Sequence, residues 1–478
     1  MTWGGDYAPA LARACGIAAA AVVAGSVVRG VLASSDRQTR RALWAMLLVP
    51  YLTPVLLVGY AYSRYSLSLI RHPAWNELLY VALVWLKLVP VAALALHFAP
   101  TPMSPEAIWC HKLLNSRSSS IRNPQSAIRN SDLAFWLRGP GRAFGVAFAA
   151  VFLLAFGEFE MASLLGIRSW TVTLFDAQVG GLALGESLRL AAPALAVEAV
   201  LLGVVLALIL SHRPSGAPSA PRHVGLGAWT QAAVMFYILA ALALVTLVPA
   251  FVVLHGTLAW LKLMPQVLTL ARDVAASVLF GLAAAACAYL VAGWFLGAGR
   301  RGAWYGKWLF ASAACVPGLL GALALALLAL ALFQLPGLTA LYDSPVPLAV
   351  TLALLLLPFA VLLRLLVTAL RPGEAVHAAR LLAASPSRDV ARNSRRLAWH
   401  LGRRGQFYVA FLLFCWGYFD LTASSILAPS GMTPVLVRLY NFAHYGQSAA
   451  LSAMVCVAFA VPFVLLALAM MVRRVVGL

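Results

Sequence analysis

The sequence predicts an all-α, polytopic membrane protein with about 11 transmembrane helices in two parallel repeats. Hydrophobic residues make up 63% of the chain and charged residues only 10%, whereas soluble globular chains have about 25% charged residues. Several apolar runs exceed the roughly 20 residues that a helix needs to cross about 30 Å of hydrocarbon. A short motif also recurs in the two halves of the chain. Together these observations favour a duplicated helical bundle over a β-barrel, whose short strands alternate in polarity.

The predicted transmembrane helices follow the continuous apolar runs, which are rich in Ala and Leu. Basic residues collect between alternate runs, as in residues 34–41 and 371–405. The second of these ranges alone carries eight arginines. Because cytoplasmic loops attract Lys and Arg, this bias predicts an N-terminus outside and a C-terminus inside the cell. The predicted spans are residues 9–33, 42–63, 78–99, 144–165, 186–210, 228–255, 272–297, 306–333, 346–370, 406–427 and 450–473.

A segment rich in Pro and Ser, residues 211–227, divides the chain into two halves and has the composition of a linker. Residues 1–210 hold five predicted spans and residues 228–478 hold six. Short matches align the halves, among them Glu106-Ala107-Ile108 with Glu374-Ala375-Val376. In this alignment the first half lacks a counterpart to the span at 228–255. The sequence therefore predicts a degenerate first repeat and a complete second repeat.

The chain is strongly basic, with 35 Lys and Arg against 15 Asp and Glu and a net charge of +20. Such a charge can indicate nucleic-acid binding, but the arginines lie between apolar runs, where the positive-inside rule places them. We therefore expect no nucleic-acid partner. The sequence contains no P-loop, no HExxH motif and no His/Cys cluster with metal-ligand spacing, so it predicts no catalytic residue, metal or cofactor and no enzyme.

Two acidic motifs lie within equivalent spans of the two halves. Gly157-Glu158-Phe159-Glu160 in the first half matches Gly417-Tyr418-Phe419-Asp420 in the second. Ionisable residues in an apolar span are costly and indicate a pathway or a buried partner. We predict that a translocation path is lined by Glu158, Glu160, Tyr418 and Asp420. The alternative is that each acid caps a helix or pairs locally, and so fixes helix packing.

The basic loop before the second motif resembles the cytoplasmic loop of binding-protein-dependent ABC importer permeases. In that family the loop begins with Glu-Ala-Ala, continues to a Gly, and forms short coupling helices that dock on the ATPase. The segment from His377 to Ser385 resembles its first part, with His377 in the place of Glu and Ala383 in the place of Gly. The coupling residues implied by the resemblance are Glu374, His377, Ala378, Ala379, Arg380, Leu381, Ala383 and Ser385, with Glu106 and Ala107 in the first half.

Residues Thr433–Asn441 resemble the external loop of the iron(III)/thiamine/putrescine branch of these permeases, in which both copies are often fused in one chain. The resemblance implies a permease of the bacterial inner membrane that imports a solute, such as iron(III) or another small cation or ligand. It also implies two kinds of partner besides the lipid bilayer: ATPase subunits on the cytoplasmic face and an extracytoplasmic solute-binding protein. Two alternatives stay open, a secondary transporter built of repeats and a permease-like membrane protein without coupled transport.

Overall fold

The computed structural model shows a helical chain, without a strand in the part that it describes, so the all-α prediction is confirmed there. The described residues are 3–68, 72–98, 141–210, 227–260, 270–298, 315, 317–369, 378, 381–382, 387–444 and 448–475. In the first half the helices are α1 (Ala8–Ser34), α2 (Arg37–Leu52), α3 (Val55–Ser68), α4 (Pro73–Phe98), α5 (Gly141–Phe156), α6 (Glu160–Leu164), α7 (Trp170–Val179) and α8 (Leu184–Leu210). They continue with α9 (Ala228–Ala241), α10 (Val248–Trp260), α11 (Ala271–Ala298), α12 (Ala322–Phe333), α13 (Pro345–Ala369), α14 (Arg388–Tyr418), α15 (Thr422–Leu427), α16 (Val435–His444) and α17 (Ser448–Val475). A π-helical segment, Leu242–Leu247, joins α9 to α10.

Within the described residues, 6 helices are long and apolar enough to cross a membrane, or up to 7 if the bent pair α2 and α3 forms one span. The six lie in α1, α4, α8, the continuous helix Ala228–Thr257, α11 and α17. Three shorter apolar helices accompany them, at Gly141–Phe156, Ala322–Phe333 and Pro345–Val361. The chain is therefore a multi-pass membrane protein, and the predicted total of eleven spans stays a prediction.

Four of the predicted spans are interrupted within the described residues, and one of these, 306–333, is interrupted at Leu320 and Gly321 just before α12. The span predicted at 42–63 bends by 64° between α2 and α3, because Pro54 has no N–H to donate and disfavours helix in the residue before it. The span predicted at 144–165 breaks after Phe156, and the one at 406–427 breaks after Tyr418. Each break frees backbone N–H and C=O groups in an apolar segment, and those groups need partners within the protein.

The chain folds as two compact units, Met1–Val252 and Val253–Leu478. In the first unit α1 packs on α4 and α5, α4 packs on α5, α3 packs on α6, and α8 packs on α5 and α7. The helix that starts at Ala228, which the sequence placed at the head of the second repeat, packs here on α1, α2 and α4. The predicted linker, 211–227, lies outside the described residues apart from Gly227.

The second unit is built around α11, which packs on α13 and α14. Helix α13 also packs on α14, and α12 packs on α15. Helix α16 lies against α11 and α17. The three helices α11, α13 and α14 thus pack on one another, and the short helix α15 packs on α12 and α13.

Small residues set the closest helix approaches. A Cβ atom added to Gly25 of α1 meets Ala92 Cβ of α4 at 2.8 Å and the Ala93 backbone nitrogen at 2.9 Å. A backbone atom cannot move aside as a side chain can, so any larger residue at position 25 forces α1 and α4 apart. In the second unit a Cβ on Gly417 meets Gly281 Cα at 3.2 Å. Such glycine contacts let membrane helices gain van der Waals energy at short range.

Replacing Gly25 with Ala should destabilise the fold by about 1–3 kcal/mol, because the added methyl group overpacks the contact between α1 and α4. The matched control is Gly16→Ala in the same helix, where an added Cβ meets no described atom within 4 Å. That control should be neutral or stabilising by up to about 1 kcal/mol, the usual helix preference for Ala over Gly. Thermal unfolding of both full-length variants in detergent measures the difference. Equal destabilisation by the two substitutions contradicts the proposed contact.

Two loops of the second unit are joined through Asp343. The Ser430 amide donates to Asp343 Oδ1 at 2.8 Å, and the Ser430 hydroxyl donates to Oδ2 at 2.5 Å. These bonds, the hydroxyl bond first, hold the pKa of the exposed Asp343 carboxyl below its usual value. Arg272 donates to the Gly431 carbonyl at 2.8 Å, which fixes the same loop to the start of α11.

The Ser430→Ala substitution should cost stability only where Asp343 is ionised. Because the folded-state pKa of Asp343 is lowered, its contribution is present above the unfolded pKa of about 3.9 and is lost as the pH falls through the folded pKa. We expect a lower Tm for the variant at about pH 6 and a Tm equal to wild type well below pH 3. In a chain that already carries Asp343→Asn, the effect of Ser430→Ala on Tm should not depend on pH. A Tm loss of the same size at both pH values argues against the carboxylate contact.

Candidate functional site

The first acidic motif lies at the break between α5 and α6. The half-buried Glu158 accepts hydrogen bonds from the amides of Met161 at 2.6 Å and Ala162 at 3.0 Å. These amides belong to the first turn of α6, where no helical carbonyl is in place to accept them. Glu158 therefore caps α6, much as Asp or Asn caps other helices.

Neighbouring side chains satisfy the other polar groups at this break. The Tyr80 hydroxyl of α4 donates to Glu158 Oε2 at 3.1 Å. The Thr171 hydroxyl donates to the Glu158 carbonyl at 2.8 Å, and the Trp170 indole N–H donates to the Phe156 carbonyl, also at 2.8 Å. The end of α5 and the start of α6 are thus tied to α4 and α7.

The second acidic motif forms a similar break between α14 and α15. Asp420, which is 8% exposed, accepts a hydrogen bond from the Ser424 amide at 2.9 Å. Tyr418 is buried, and its hydroxyl donates to the Ala458 carbonyl of α17 at 2.8 Å. Its ring packs edge-on against Phe419 with centroids 5.0 Å apart. Asp420 thus caps the short helix, while Tyr418 anchors the end of the long helix to α17.

The positions of the helix ends in the structure change which residues of the two motifs correspond to each other. The sequence paired Glu160 with Asp420, but in the structure Glu158 and Asp420 occupy matching places, each just before the short helix that it caps. Glu160 is half-buried and is the first residue of α6. The glycine-based alignment fails because Gly157 lies beyond the end of α5, whereas Gly417 lies inside α14, where it packs against Gly281 of α11.

Sequence reasoning missed Lys87, a cation in the middle of α4 that is 7% exposed. Its ammonium donates to the carbonyls of Pro50 at 3.3 Å, Tyr51 at 3.1 Å and Thr53. The carboxylates of Glu160 and Glu158 attract it electrostatically. The available signal was an ionisable residue inside the predicted span 78–99, which by itself indicates a partner or a functional site.

Sequence reasoning also missed an ion pair that continues from the first break. Arg13 Nη1 of α1 lies 2.9 Å and 3.1 Å from the two carboxylate oxygens of Glu77. The Arg13 guanidinium also lies 5.8 Å from the centre of the Tyr80 ring. A chain of contacts therefore runs from Glu77 through Arg13 and Tyr80 to Glu158. We call Arg13, Glu77, Tyr80, Lys87 and Glu158 the polar network of the first unit.

The predicted coupling residues are described only in part. Ala378 and Leu381 are helical and exposed, and Leu381 is 63% exposed. The other coupling residues lie outside the described residues: Glu106, Ala107, Glu374, His377, Ala379, Arg380, Ala383 and Ser385. Shortly after them the chain enters α14, which begins at Arg388 and runs without a break to Tyr418.

The arrangement at the two breaks is suited to holding interrupted helices in place. In the described part of the chain, no group of three or more His, Cys, Asp or Glu residues is placed to hold a metal ion. The carboxylates of Glu158 and Asp420 are engaged with backbone amides. No family model, no curated protein and no solved structure matches the chain.

Replacing Glu158 with Ala should destabilise the first unit by about 1–3 kcal/mol, because two amides of α6 lose their acceptor. Tyr80→Phe removes one donor to the same carboxylate, so the two substitutions should be coupled by about 0.5–2 kcal/mol in a double-mutant cycle. Thermal unfolding of the two single variants and the double variant gives the coupling energy. Tyr289→Phe, whose hydroxyl donates to Gln406 instead, should combine additively with Glu158→Ala. If the destabilisations caused by Tyr80→Phe and Glu158→Ala are also strictly additive, the hydrogen bond between the two side chains is contradicted.

Proposed function

We propose that the chain is the membrane-embedded permease of an importer of the ABC type, made of two copies of one helical unit. In this proposal ATPase subunits bind the cytoplasmic loops, and an extracytoplasmic solute-binding protein delivers the solute. The membrane is the bacterial inner membrane, with the N-terminus outside and the C-terminus inside. The family branch extends the proposal to iron(III) or another small cation or ligand as the solute.

The observation that carries the proposal is the matching order of helices in the two units. In the first unit α1, α4 and α5 pack on one another, as α11, α13 and α14 do in the second. The pair α3 and α6 corresponds to α12 and α15. Two further helices then match in length, with 10 residues in α7 and in α16, and 27 and 28 residues in α8 and α17. Duplicated units of this kind are frequent in membrane transporters.

The direction of the two copies favours an ABC permease over many secondary transporters. In both units a long helix ends at a capped break and is followed by a short helix. Both long helices follow a predicted cytoplasmic basic loop, so they run the same way through the membrane in the proposed topology. Many secondary transporters instead use repeats of inverted topology.

The proposed translocation path still includes Glu158, Glu160, Tyr418 and Asp420, but we assign these residues different roles. Glu158 and Asp420 fix the starts of the short helices, and Tyr418 fixes the end of α14 to α17. Glu160 is the half-buried acid that follows the first break. We propose that these residues shape the path by positioning interrupted helices, and that the free energy for transport comes from ATP hydrolysis in the separate subunit.

Replacing Ala378 with Arg should disrupt ATPase binding, because Ala378 is an exposed helical residue of the loop proposed to dock, and a long charged side chain there would block close contact. We expect the wild-type chain purified from native membranes to carry an ATP-hydrolysing subunit. The variant should lose this subunit and the associated ATP hydrolysis by at least about tenfold, the effect of 1.4 kcal/mol. The matched control is Ala340→Arg, an exposed residue of a loop predicted to lie outside.

Two results contradict the proposal. One is a wild-type chain that purifies without any ATPase but moves solute in proteoliposomes under an ion gradient, as a secondary transporter does. The other is an Ala378→Arg chain that keeps the ATPase in wild-type amounts, which shows that the docking segment is elsewhere.

A further inference from the structure

The break between α2 and α3 gathers carbonyl oxygens around one point. Helix α2 ends at Leu52, and Pro54 follows without an N–H group. The last carbonyls of a helix have no helical donor, and they carry the negative end of the helix dipole. Three carbonyls at this end, those of Pro50, Tyr51 and Thr53, converge on one ammonium group.

That ammonium belongs to Lys87 and is almost removed from water. Lys87 and Thr53 are each only 7% exposed. Burying a charge is costly unless it is paired and hydrogen-bonded. The ammonium has three N–H donors, and the structure supplies three carbonyl acceptors. Carbonyl groups at broken membrane helices are also the ligands that hold monovalent cations in channels and transporters.

We propose that the Lys87 ammonium is the resident cation of a carbonyl-lined site at the break between α2 and α3. When the amine is removed, this site takes a free monovalent cation of the size of ammonium or potassium. The proposal does not depend on the transport function proposed above.

Negative groups around the site favour a cation over a neutral occupant. The nearby carboxylates of Glu160 and Glu158 attract the ammonium. Without the amine, the three converging carbonyl dipoles lose their cationic partner in a buried place. A small cation restores the balance, whereas a neutral side chain does not.

The second unit has no lysine at the sequence position that matches Lys87. Lys87 precedes Pro90 of α4 by the same number of residues as Leu355 precedes Pro358 of α13, so an apolar residue stands at the matching position. At the start of α12 the second unit uses Gly321 with a φ of 84°, a conformation that glycine adopts without strain. The first unit therefore stabilises its break with the charged side chain of Lys87, and the second unit uses a glycine that tolerates a positive φ.

The tethered amine also has a functional consequence. It cannot leave the site, so wild-type protein needs neither sodium nor potassium there. Coupling to a cation gradient through this site is excluded as long as Lys87 occupies it.

The test compares the full-length Lys87→Ala and Lys87→Met chains in detergent, by thermal unfolding at constant ionic strength. The salts are ammonium chloride, potassium chloride and the chloride of N-methylglucamine, a cation too large for the site. We expect Lys87→Ala to lose several degrees of Tm in N-methylglucamine and to regain at least half of that loss in ammonium or potassium. Lys87→Met fills the space with an apolar chain, so its Tm should be low in all three salts. Wild type and Gly25→Ala, destabilised elsewhere, should show no dependence on the cation.

A Lys87→Ala chain that is equally destabilised in all salts overturns the proposal, and so does one that is not destabilised at all. If Lys87→Ala fails to fold, Lys87→Cys keeps the question open to measurement. Modification of that thiol with an aminoethyl methanethiosulfonate reagent places an ammonium back in the site and should raise Tm. The neutral methyl methanethiosulfonate reagent should not raise Tm. Equal changes of Tm with the two reagents also overturn the proposal.

Discussion

The fold depends on how the protein satisfies backbone groups where apolar helices break. Water is scarce at such places, and a buried N–H or C=O without a partner costs about 1–3 kcal/mol. Each break exposes several of these groups at once, so the total cost is comparable to the net stability of a small domain. Side chains, either at the break itself or from a neighbouring helix, must therefore supply the missing partners. Glu158, Asp420 and Lys87 supply them, each at a different break.

The two units solve this problem with different amounts of charge. The first unit uses the polar network, in which Arg13 pairs with Glu77 and the Lys87 ammonium donates to backbone carbonyls. At the corresponding break of the second unit, Asp420 accepts a backbone amide and the Tyr418 hydroxyl donates to a backbone carbonyl. Charged networks of this kind rely on several partners at once, so loss of one member leaves another charge buried without compensation. The first unit is therefore the more sensitive of the two to single polar substitutions near its break.

The sequence predicts the helical membrane class and long apolar helices such as α4, because in lipid a continuous apolar run satisfies its backbone groups only as a helix. Helix α14 begins at Arg388, well before the span predicted at 406–427. The sequence predicts the breaks poorly. Pro54 was a visible signal for the bend between α2 and α3, but no proline marks the breaks after Phe156 and Tyr418. At the first of these places residues of other helices help to hold the break: the Trp170 indole donates to the released Phe156 carbonyl, and Tyr80 donates to the capping carboxylate of Glu158. The alignment of the motifs on Gly157 and Gly417 was wrong, since one glycine ends a helix and the other packs inside one.

The capped breaks also constrain how the helices can move. A hinge needs a place where backbone groups can exchange partners at little cost, but Glu158 holds two amides and receives a third bond from Tyr80. Opening that break loses several hydrogen bonds in an apolar setting, so α4, α5 and α6 are expected to move as one body. The bend between α2 and α3 is different, because a single flexible side chain, Lys87, holds all three carbonyls. A lysine has four rotatable carbon–carbon bonds and can follow the carbonyls through a change of angle. If the first unit changes shape during a functional cycle, we expect the change at this bend, with the capped acidic motif left intact.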